Sequence, residues 1–459
     1  MVFDIAIIGN GIVGTMTTFL ISKKFKDKKI AFISPSNREG SASVAAGAML
    51  NVFAEVDYGI VKDDYQERKI HLGIEAQKSW DELIKENKKI FRNVKTADDT
   101  IVYLSKHATP LEQKCFERIL YYVKKYNRES KKNKKTKSFK KQLKYSAKTI
   151  LIKGEGAIDT QVLFKRLDKE INSSKNVNVF GEKCLKISKI KKNYQLLLNS
   201  KKKVLTKKIL LATGSNVHQI LGNLGSGIQD TFYGVGTAFS VESDKKDIKL
   251  PKRTVVRTPN RGSTCGVHFV PRLGNNFYIG AGSFISKKPI LKPRAATLEY
   301  LLSTSKREFL NSFGKGKMEI NIGFRPMSFD GKPLIGSLKK HENIFIVSGT
   351  KRDGLTYCTE IIKIITSWFK KEKINLASNP FTGWEPEREP ITYVNKEFAI
   401  NAYIENKFAG LLEHNETNKN EKKLRKELFR EANLMHKKII KKYKLTKNFG
   451  VHPEILNVI

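Results

Sequence analysis

The sequence has few cysteines. Only four of its 459 residues are cysteine, and they lie far apart without a Cys-x-x-Cys pair: Cys115, Cys184, Cys265 and Cys358. This spacing is typical of reduced thiols and argues against a disulfide framework. No group of histidines and cysteines has the spacing of metal ligands, so we predict no metal site.

Long apolar runs are also missing. No segment approaches the ~20 apolar residues that are needed to span a bilayer. The first apolar stretch contains Asp4 and glycines and lacks a cleavage-like site, so it is unlike a signal peptide. We therefore expect a cytoplasmic protein without a transmembrane segment.

Acidic residues are scarce relative to basic ones. They number 45 against 86 lysines and arginines, which gives a formal net charge of +41. Such a surplus can indicate a nucleic-acid or anionic-membrane partner. It can also be compositional, because lysine, asparagine and isoleucine are all abundant, and the lysines are spread over the whole chain. Arginine, the better phosphate ligand, is the minority cation. We favour the compositional explanation and keep nucleic acid as an alternative partner.

A glycine-rich turn near the start carries the first functional signal. The apolar run 3–8 precedes Gly9-x-Gly11-x-x-Gly14, a helical pattern then continues to about Lys24, and a second strand is predicted at 30–34. In this strand–turn–helix context the glycines allow a tight turn, a close approach to a pyrophosphate and close packing of helix on strand. The helix N-terminus adds partial positive charge. The segment predicts a dinucleotide site that includes Ile12 and Val13.

Ser34 departs from the usual form of this site. An acidic residue at the end of the second strand normally accepts hydrogen bonds from the adenosine ribose, whereas serine offers one neutral and weaker bond. Asn37, Arg38 or Glu39 could substitute from the adjoining loop. We expect binding to persist with rearranged ribose contacts.

The rest of the chain reads as a mixture of helices and strands. Apolar spacing predicts helices over 60–92, 111–126 and 160–172, and a low-complexity basic loop or frayed helix over 128–144. Several strand-like runs follow residue 150. Near the C-terminus, apolar residues at spacings of three and four predict an amphipathic helix that packs on the body or on a neighbouring subunit: Leu424, Leu428, Ala432, Met435, Ile439 and Tyr443. A basic membrane-surface helix is the alternative.

Five segments, in order, carry a resemblance to a known family. They are GSASVAAGAML at 40–50, GEGAIDTQVLFKRL at 154–167, ILLATGS at 209–215, VHFVPRLGNNFYIGAGS at 267–283, and GFRPMSFDGKPLIG with NIFIVSGTKRDGLTYCTE at 323–360. Together they resemble the D-amino-acid oxidase, glycine oxidase and sarcosine oxidase family of flavoproteins. The match spans residues 3–370 and is poor over 104–147 and after about 376.

The resemblance implies an α/β fold with two domains and an extension. A Rossmann-like FAD-binding domain would be assembled from the discontinuous segments 1–95, 150–235 and 325–375. A substrate domain with a mixed or antiparallel sheet would comprise 96–149 and 236–324. Residues 376–459 would form a C-terminal helical extension.

The resemblance also implies FAD, bound without a covalent link, because Gly323 and Arg325 stand where some relatives attach the ring through a cysteine. Ser41 to Met49 is nearly all small residues, so its backbone could lie against a flat ring, although a tight helix–sheet contact would need the same residues. A helix expected to begin at Leu355 could point its N-terminus at the flavin. The predicted cofactor residues are Gly9, Gly11, Ile12, Val13, Gly14, Ser34, Ser43, Ala46, Gly47, Met49, Cys184, Ala212, Thr213, Gly214, Gly349, Asp353, Gly354 and Leu355.

Three residues are predicted on the substrate side. Arg325 falls where amino-acid-oxidising relatives grip the substrate carboxylate, and a guanidinium binds both oxygens at once; a salt bridge to Asp330 is the structural alternative. His268 replaces a tyrosine of glycine oxidase-like members and could bond a carboxylate, take a proton, or only support its strand. Arg352 falls on another flavin- and substrate-adjacent position.

The resemblance predicts an FAD-dependent amine or amino-acid oxidoreductase. It would oxidise the C–N bond of an amino acid or N-substituted glycine by hydride transfer, and water would hydrolyse the imine. Oxygen or another acceptor would reoxidise the flavin, and a homo-oligomer is compatible. Alternatives are a 2-hydroxy acid, a glycine-like group on tRNA or another macromolecule, and a non-catalytic scaffold whose C-terminal helix is the working part.

Overall fold

The computed structural model describes residues 1–57, 63–128, 134–145, 147–243, 248–261, 265–274, 276–372, 379–392, 395–413 and 421–458. Its strands are β1 (Val2–Ile8), β2 (Ile30–Ile33), β3 (Lys95–Ala97), β4 (Asp99–Leu104), β5 (Lys148–Ile152), β6 (Ala157–Ile158), β7 (Val177–Phe180), β8 (Cys184–Ile190), β9 (Asn193–Leu198), β10 (Lys203–Leu211), β11 (Thr231–Glu242), β12 (Thr254–Arg257), β13 (His268–Pro271), β14 (Phe277–Ser286), β15 (Lys317–Ser328), β16 (Leu334–Leu338) and β17 (His341–Ser348).

Thirteen α-helices lie within these described ranges. They are α1 (Ile12–Lys24), α2 (Ala42–Ala45), α3 (Asp63–Glu86), α4 (Lys88–Phe91), α5 (Pro110–Lys125), α6 (Lys134–Lys140), α7 (Thr160–Asn172), α8 (Val217–Leu221), α9 (Ala295–Glu308), α10 (Cys358–Lys370), α11 (Lys396–Glu413), α12 (Glu421–Tyr443) and α13 (Pro453–Leu456). No helix in the described part of the chain is long and apolar enough to cross a membrane.

The first sheet has eight strands and is parallel at its centre. Its main order is β16-β17-β10-β1-β2-β7, and the hairpin β8–β9 attaches antiparallel to β10. Strands β17, β10, β1, β2 and β7 run parallel, so their carboxyl ends meet at one edge. Apolar residues fill both faces of β1 and β10, as expected for strands covered on both sides. The predicted α/β, Rossmann-like fold is confirmed.

The second sheet has seven strands in the order β15-β11-β14-β13-β12-β4-β5 and is mainly antiparallel. Only β12 and β4 pair in parallel. The strands of the first sheet fall within the three segments predicted for the cofactor domain. By contrast, β5, β11 and β15 of the second sheet each cross a predicted boundary, so those boundaries stay a prediction.

Most predicted elements form, with shifted ends. The helix predicted over 60–92 is two helices, α3 and α4, and residues 58–62 lie outside the described residues. Part of the basic segment 128–144 is helical (α6), and 129–133 also lie outside them. The helix expected at Leu355 begins at Cys358 instead, because residues 354–357 form turns in which the Cys358 N–H bonds the Leu355 carbonyl, three residues back, at 3.2 Å.

The C-terminal extension packs on the body of the protein, as its periodicity predicted. Leu428, Ala432 and Ile439 of α12 are buried in one apolar cluster with Met327 and Phe329 of the β15–β16 region. Ion pairs reinforce this contact: Arg388 pairs with Asp330 at 2.8 Å, and Glu454 pairs with Lys351 at 3.0 Å. The extension is therefore part of the folded body.

Candidate active site

A cavity of about 780 Å³ opens at the carboxyl edge of the parallel strands. Four strand ends contribute to its wall, at Gly9 after β1, Ser34 after β2, Ala212 after β10 and Thr350 after β17. The second sheet supplies the opposite wall, including His268 of β13 and Arg325 of β15. This position is where open α/β sheets bind their ligands.

The glycine turn is as tight as its sequence predicts. Gly9 has a φ of +112°, and a Cβ there would lie 2.3 Å from the Ala212 carbonyl oxygen. A Cβ on Gly14 would lie 1.9 Å from the Gly9 carbonyl oxygen, which shows that α1 packs directly on the turn. A Cβ on Gly11 would make no such close contact, so the space beside this residue is open to a ligand that approaches the N-terminus of α1.

We expect Gly14→Ala to yield protein without flavin and with reduced stability, because α1 must move away from the turn. Gly11→Ala should lower FAD affinity while leaving the apoprotein equally stable, since its Cβ would meet only the Ser43 hydroxyl at 3.4 Å. Flavin absorbance and thermal unfolding measure the two effects. Gly314→Ala, where nothing lies within 4 Å, is the control and should change neither. A flavin-loaded Gly14→Ala protein would contradict this account.

Ser34 stands directly after β2, where the predicted dinucleotide site would normally have a carboxylate. Ser34 is buried there, and the exposed residues Asn37 and Glu39 line the same part of the cavity. Arg38 is already engaged: it pairs with both Asp168 oxygens at 2.6 and 2.7 Å and donates from Nε to the Asn10 carbonyl at 2.9 Å. Arg38 therefore braces the glycine turn, which leaves Ser34, Asn37 and Glu39 as candidates for the ribose.

The small-residue segment both packs tightly and faces the cavity. A Cβ on Gly323 of β15 would lie 2.7 Å from Ala45, so α2 lies directly on the second sheet. The Ile12 N–H donates to the Ser43 hydroxyl at 3.0 Å and ties this segment to the start of α1. Nearby, the buried Thr213 hydroxyl has no hydrogen-bond partner among the described residues. An unpartnered hydroxyl in a cavity lined by small residues fits a polar, flat cofactor such as FAD.

Most predicted cofactor residues line this one cavity, and two do not. Those that line it are Gly9, Gly11, Ile12, Val13, Ser34, Ser43, Ala46, Gly47, Met49, Cys184, Ala212, Thr213, Gly214, Asp353, Gly354 and Leu355. Gly14 lies beneath the turn. Gly349 lies behind the wall at a φ of +64°, against the Lys332 carbonyl.

Three successive charged residues of the loop after β17 are held by different parts of the chain. Lys351 pairs with Glu454 of the C-terminal extension at 3.0 Å. Arg352 pairs with Glu55 at 3.2 Å and with Asp57 at 2.9 Å. Asp353 pairs with Lys69 of α3 at 2.9 Å. Arg352 lines the cavity, but its charge is balanced by the two carboxylates.

Glu55, Cys265 and Tyr278 line the cavity and were not predicted. Glu55 also pairs with the fully buried Arg257, and the two guanidiniums of Arg257 and Arg352 lower the pKa of Glu55 despite its burial. The only available signal for Glu55 was an acid within an apolar stretch, next to the small-residue segment. Tyr278 reaches the cavity through the pairing of β14 and Cys265 through the loop before β13, and no local pattern specifies either contact.

His268 is buried and its orientation is fixed. Its Nδ1 lies 3.0 Å from the Gly266 carbonyl, which assigns the proton to Nδ1 and leaves Nε2 as an acceptor. The ring stacks on Tyr278 with centroids 5.8 Å apart. Burial, with Arg257 nearby, lowers the pKa of His268 to about 4. His268 is therefore neutral near pH 7 and cannot hold a carboxylate as a cation.

We expect His268 to make stability fall at acidic pH. Its pKa in the folded state is below the value of 6.5 expected in the unfolded chain, so the unfolded state binds more protons and stability rises with pH between these values. Between pH 7.5 and pH 4, the free energy of unfolding of the wild type should fall by roughly 3 kcal/mol more than that of His268→Gln. Denaturant unfolding at several pH values measures this difference. The same dependence of the unfolding free energy on pH in both proteins would contradict the prediction.

Arg325 differs from the other arginines around the cavity. Its Nη1 lies 3.7 Å from the Cys265 sulfur, and its buried Nε has no partner in the described part of the chain. Asp330, the alternative partner considered from sequence, binds Arg388 instead. Arg325 is therefore a cation on the cavity wall without a carboxylate partner among the described residues.

Among those residues, no group of three or more His, Cys, Asp or Glu side chains is arranged to hold a metal ion. All four cysteines are buried, and none of them forms a disulfide. Cys358 packs in the core with its sulfur 3.8 Å from the Ile12 carbonyl. Burial raises the pKa of Cys184 to about 12, so this thiol stays protonated beside the cavity.

Comparison with known proteins agrees with this architecture. A glycine oxidase from Geobacillus kaustophilus is similar, with a TM-score of 0.68 at 16% identity over 84% of this chain and 99% of that chain. Iminodiacetate oxidase from Chelativorans sp. BNC1 has the same TM-score and identity, over 83% and 98%. The FAD-bound L-α-glycerophosphate oxidase from Mycoplasma pneumoniae reaches 0.60 at 16%, over 81% and 95%. These likenesses establish the fold.

Family membership comes from the sequence. No curated protein matches it significantly. However, the family model DAO, described as FAD dependent oxidoreductase, matches residues 4–368, which is most of the chain. The chain therefore belongs to the DAO family of FAD-dependent oxidoreductases and is an enzyme with FAD as its cofactor.

Proposed function

We propose that this enzyme oxidises the C–N bond of a small amino acid or N-substituted glycine, with Arg325 holding the substrate carboxylate. The names of similar structures point the same way: they include a glycine oxidase, an iminodiacetate oxidase and L-amino acid deaminases. These names support a small amino acid or N-substituted glycine as the substrate class.

The observation that carries the proposal is the charge balance of the cavity wall. Arg352 faces Glu55 and Asp57, and Arg257 faces Glu55. Arg325 has no carboxylate partner among the described residues, and its Nε makes no hydrogen bond there. A partly buried guanidinium without a counter-charge favours an anionic ligand, and a carboxylate matches its planar fork.

Residues on the cavity wall would then orient the substrate. Arg325 fixes the carboxylate, and the His268 Nε2 is an acceptor for the N–H of a neutral amine. Bound FAD supplies the hydride acceptor. The substrate amine becomes an imine as its α-carbon loses a hydride and its nitrogen a proton, and water hydrolyses the imine to an oxo acid and an amine or ammonia.

The test is a substrate screen on the purified flavoprotein without oxygen. Glycine, N-methylglycine, iminodiacetate and both enantiomers of small amino acids are added, and bleaching of the flavin absorbance is followed. We expect bleaching by at least one of these carboxylates and none by its decarboxylated amine. A flavin that no amino acid reduces would overturn the proposal.

A 2-hydroxy acid is the second candidate, because the same two residues suit it. The neutral His268 Nε2 can accept from a hydroxyl as well as from an amine, and Arg325 would hold the carboxylate in the same way. Including lactate and glycolate in the screen separates the two. Bleaching by hydroxy acids alone would replace the amine proposal.

A further inference from the structure

The loop between β14 and α9 forms an apolar tip at the mouth of the cavity. Pro289 and Leu291 line the cavity on one side and are exposed on the other. Ile290 is 37% exposed and Leu291 is 45% exposed. Large apolar side chains that lie together in solvent often mark a surface that binds a partner molecule or a membrane.

Four cations flank this tip. Lys287 and Lys288 precede it, and Lys292 and Arg294 follow it, all of them exposed. The sequence has no acidic residue between Ser286 and Leu298. None of the four pairs with a carboxylate in the described ranges, and Arg294 rests 3.6 Å above the Phe284 ring. The loop therefore presents apolar side chains within a positive field.

We infer that this loop binds the surface of an anionic lipid bilayer, with Ile290 and Leu291 in the interface and the four cations among the headgroups. Lysines near an anionic leaflet each favour binding, and apolar residues between them add insertion. A nucleic acid or an acidic protein would satisfy the charges but leave the apolar tip uncovered. The inference does not rest on the substrate proposed above.

Helix α12 is the rival surface. Its exposed side carries Lys423, Lys426, Arg430, Lys437 and Lys441, together with the exposed Phe429 and Leu434. Phe429 and Leu434 are five residues apart, which places them about 140° apart around the helix. They therefore cannot enter one interface together, whereas Ile290 and Leu291 are adjacent at a loop tip.

The experiment is co-sedimentation of the FAD-loaded full-length protein with vesicles. Mixed phosphatidylcholine–phosphatidylglycerol vesicles are compared with pure phosphatidylcholine vesicles, at low and high salt. We expect binding only to the anionic vesicles and its weakening by salt. Lys287→Gln, Lys288→Gln and Lys292→Gln combined should weaken partitioning roughly a hundredfold, at about fivefold per charge. Ile290→Asp with Leu291→Asp should abolish it.

Matched variants elsewhere distinguish binding through this loop from non-specific effects of exposed charge and exposed apolar surface. Lys191→Gln with Lys192→Gln removes exposed charge from the β8–β9 turn, and Met318→Asp with Ile320→Asp alters two exposed apolar residues of β15. Both should bind like the wild type, and flavin absorbance confirms that each variant is folded. The inference is overturned if the wild type ignores anionic vesicles, if it binds neutral ones equally, or if only glutamine substitutions on α12 abolish binding.

Discussion

Replacing Arg325 with methionine is expected to lower kcat/KM for the carboxylate substrate about 10³-fold while the protein stays yellow. The guanidinium has no carboxylate partner among the described residues, so the substrate would be its counter-charge. Truncating one partner of a desolvated, hydrogen-bonded charge pair costs several kcal/mol, which corresponds to this loss. Steady-state kinetics with the substrate identified by flavin bleaching measures the effect.

Two further variants make this result specific. Arg325→Lys keeps the charge but not the planar fork, so it should recover only part of the activity. Arg253→Met removes an arginine that pairs with Asp98 on the surface and should leave kcat/KM unchanged. If Arg325→Met retained wild-type kcat/KM, or lost flavin along with activity, Arg325 would not be the carboxylate ligand.

Asp330→Ala is expected to destabilise the protein by about 3–5 kcal/mol, because it leaves Arg388 charged and unpaired in the interior. The Asp330 carboxylate is fully buried and accepts from Arg388, from the Lys332 N–H at 3.0 Å and from the Ile391 N–H at 3.0 Å. Native proteins are stable by only about 5–15 kcal/mol, so the loss is large. The midpoint of urea unfolding, followed by flavin release, measures it.

The matched controls for Asp330 test whether the charge or the volume matters. Asp330→Leu combined with Arg388→Met removes both charges, and the stability of this double variant should be closer to that of the wild type than the stability of Asp330→Ala. Asp27→Asn breaks an ion pair with Lys28 on the surface and should leave the unfolding midpoint unchanged. An Asp330→Ala protein as stable as the wild type would mean that the extension is not anchored at this point.

This anchoring bears on the scaffold alternative. That alternative expects deletion of residues 376–459 to leave the flavin chemistry intact. The deletion would expose Phe329 and Met327 and would unpair Asp330 and Lys351. We therefore expect it to destabilise the part of the chain that binds FAD.

The sequence was most informative where local geometry and function coincide. The spacing of the glycines predicts a tight strand–turn–helix, and this turn forms, with Gly9 against Ala212 and Gly14 against Gly9. The pyrophosphate contact at Gly11 stays a prediction. The small-residue segment and Arg325 of β15 are candidates because five segments in order resemble one family, and their functional roles stay a prediction.

The ion pairs around the cavity could not be predicted in the same way. Glu55 and Arg352 lie almost 300 positions apart, and nothing in either segment specifies the other. The start of α10 was wrong by three residues, because turns at 354–357 satisfy the backbone before the helix begins. His268 was recognised as a candidate, but its neutral state depends on burial and on Arg257, which only the folded chain brings near.

The loop at Lys351, Arg352 and Asp353 also has a thermodynamic meaning. Its four ion pairs join the C-terminal extension, the segment after α2 and helix α3 at adjacent backbone positions. None of these regions can separate from the loop without leaving a charged side chain unpaired. The molecule should therefore unfold around its cofactor site as one cooperative unit, and ligand binding energy released there is shared by segments that never touch the ligand.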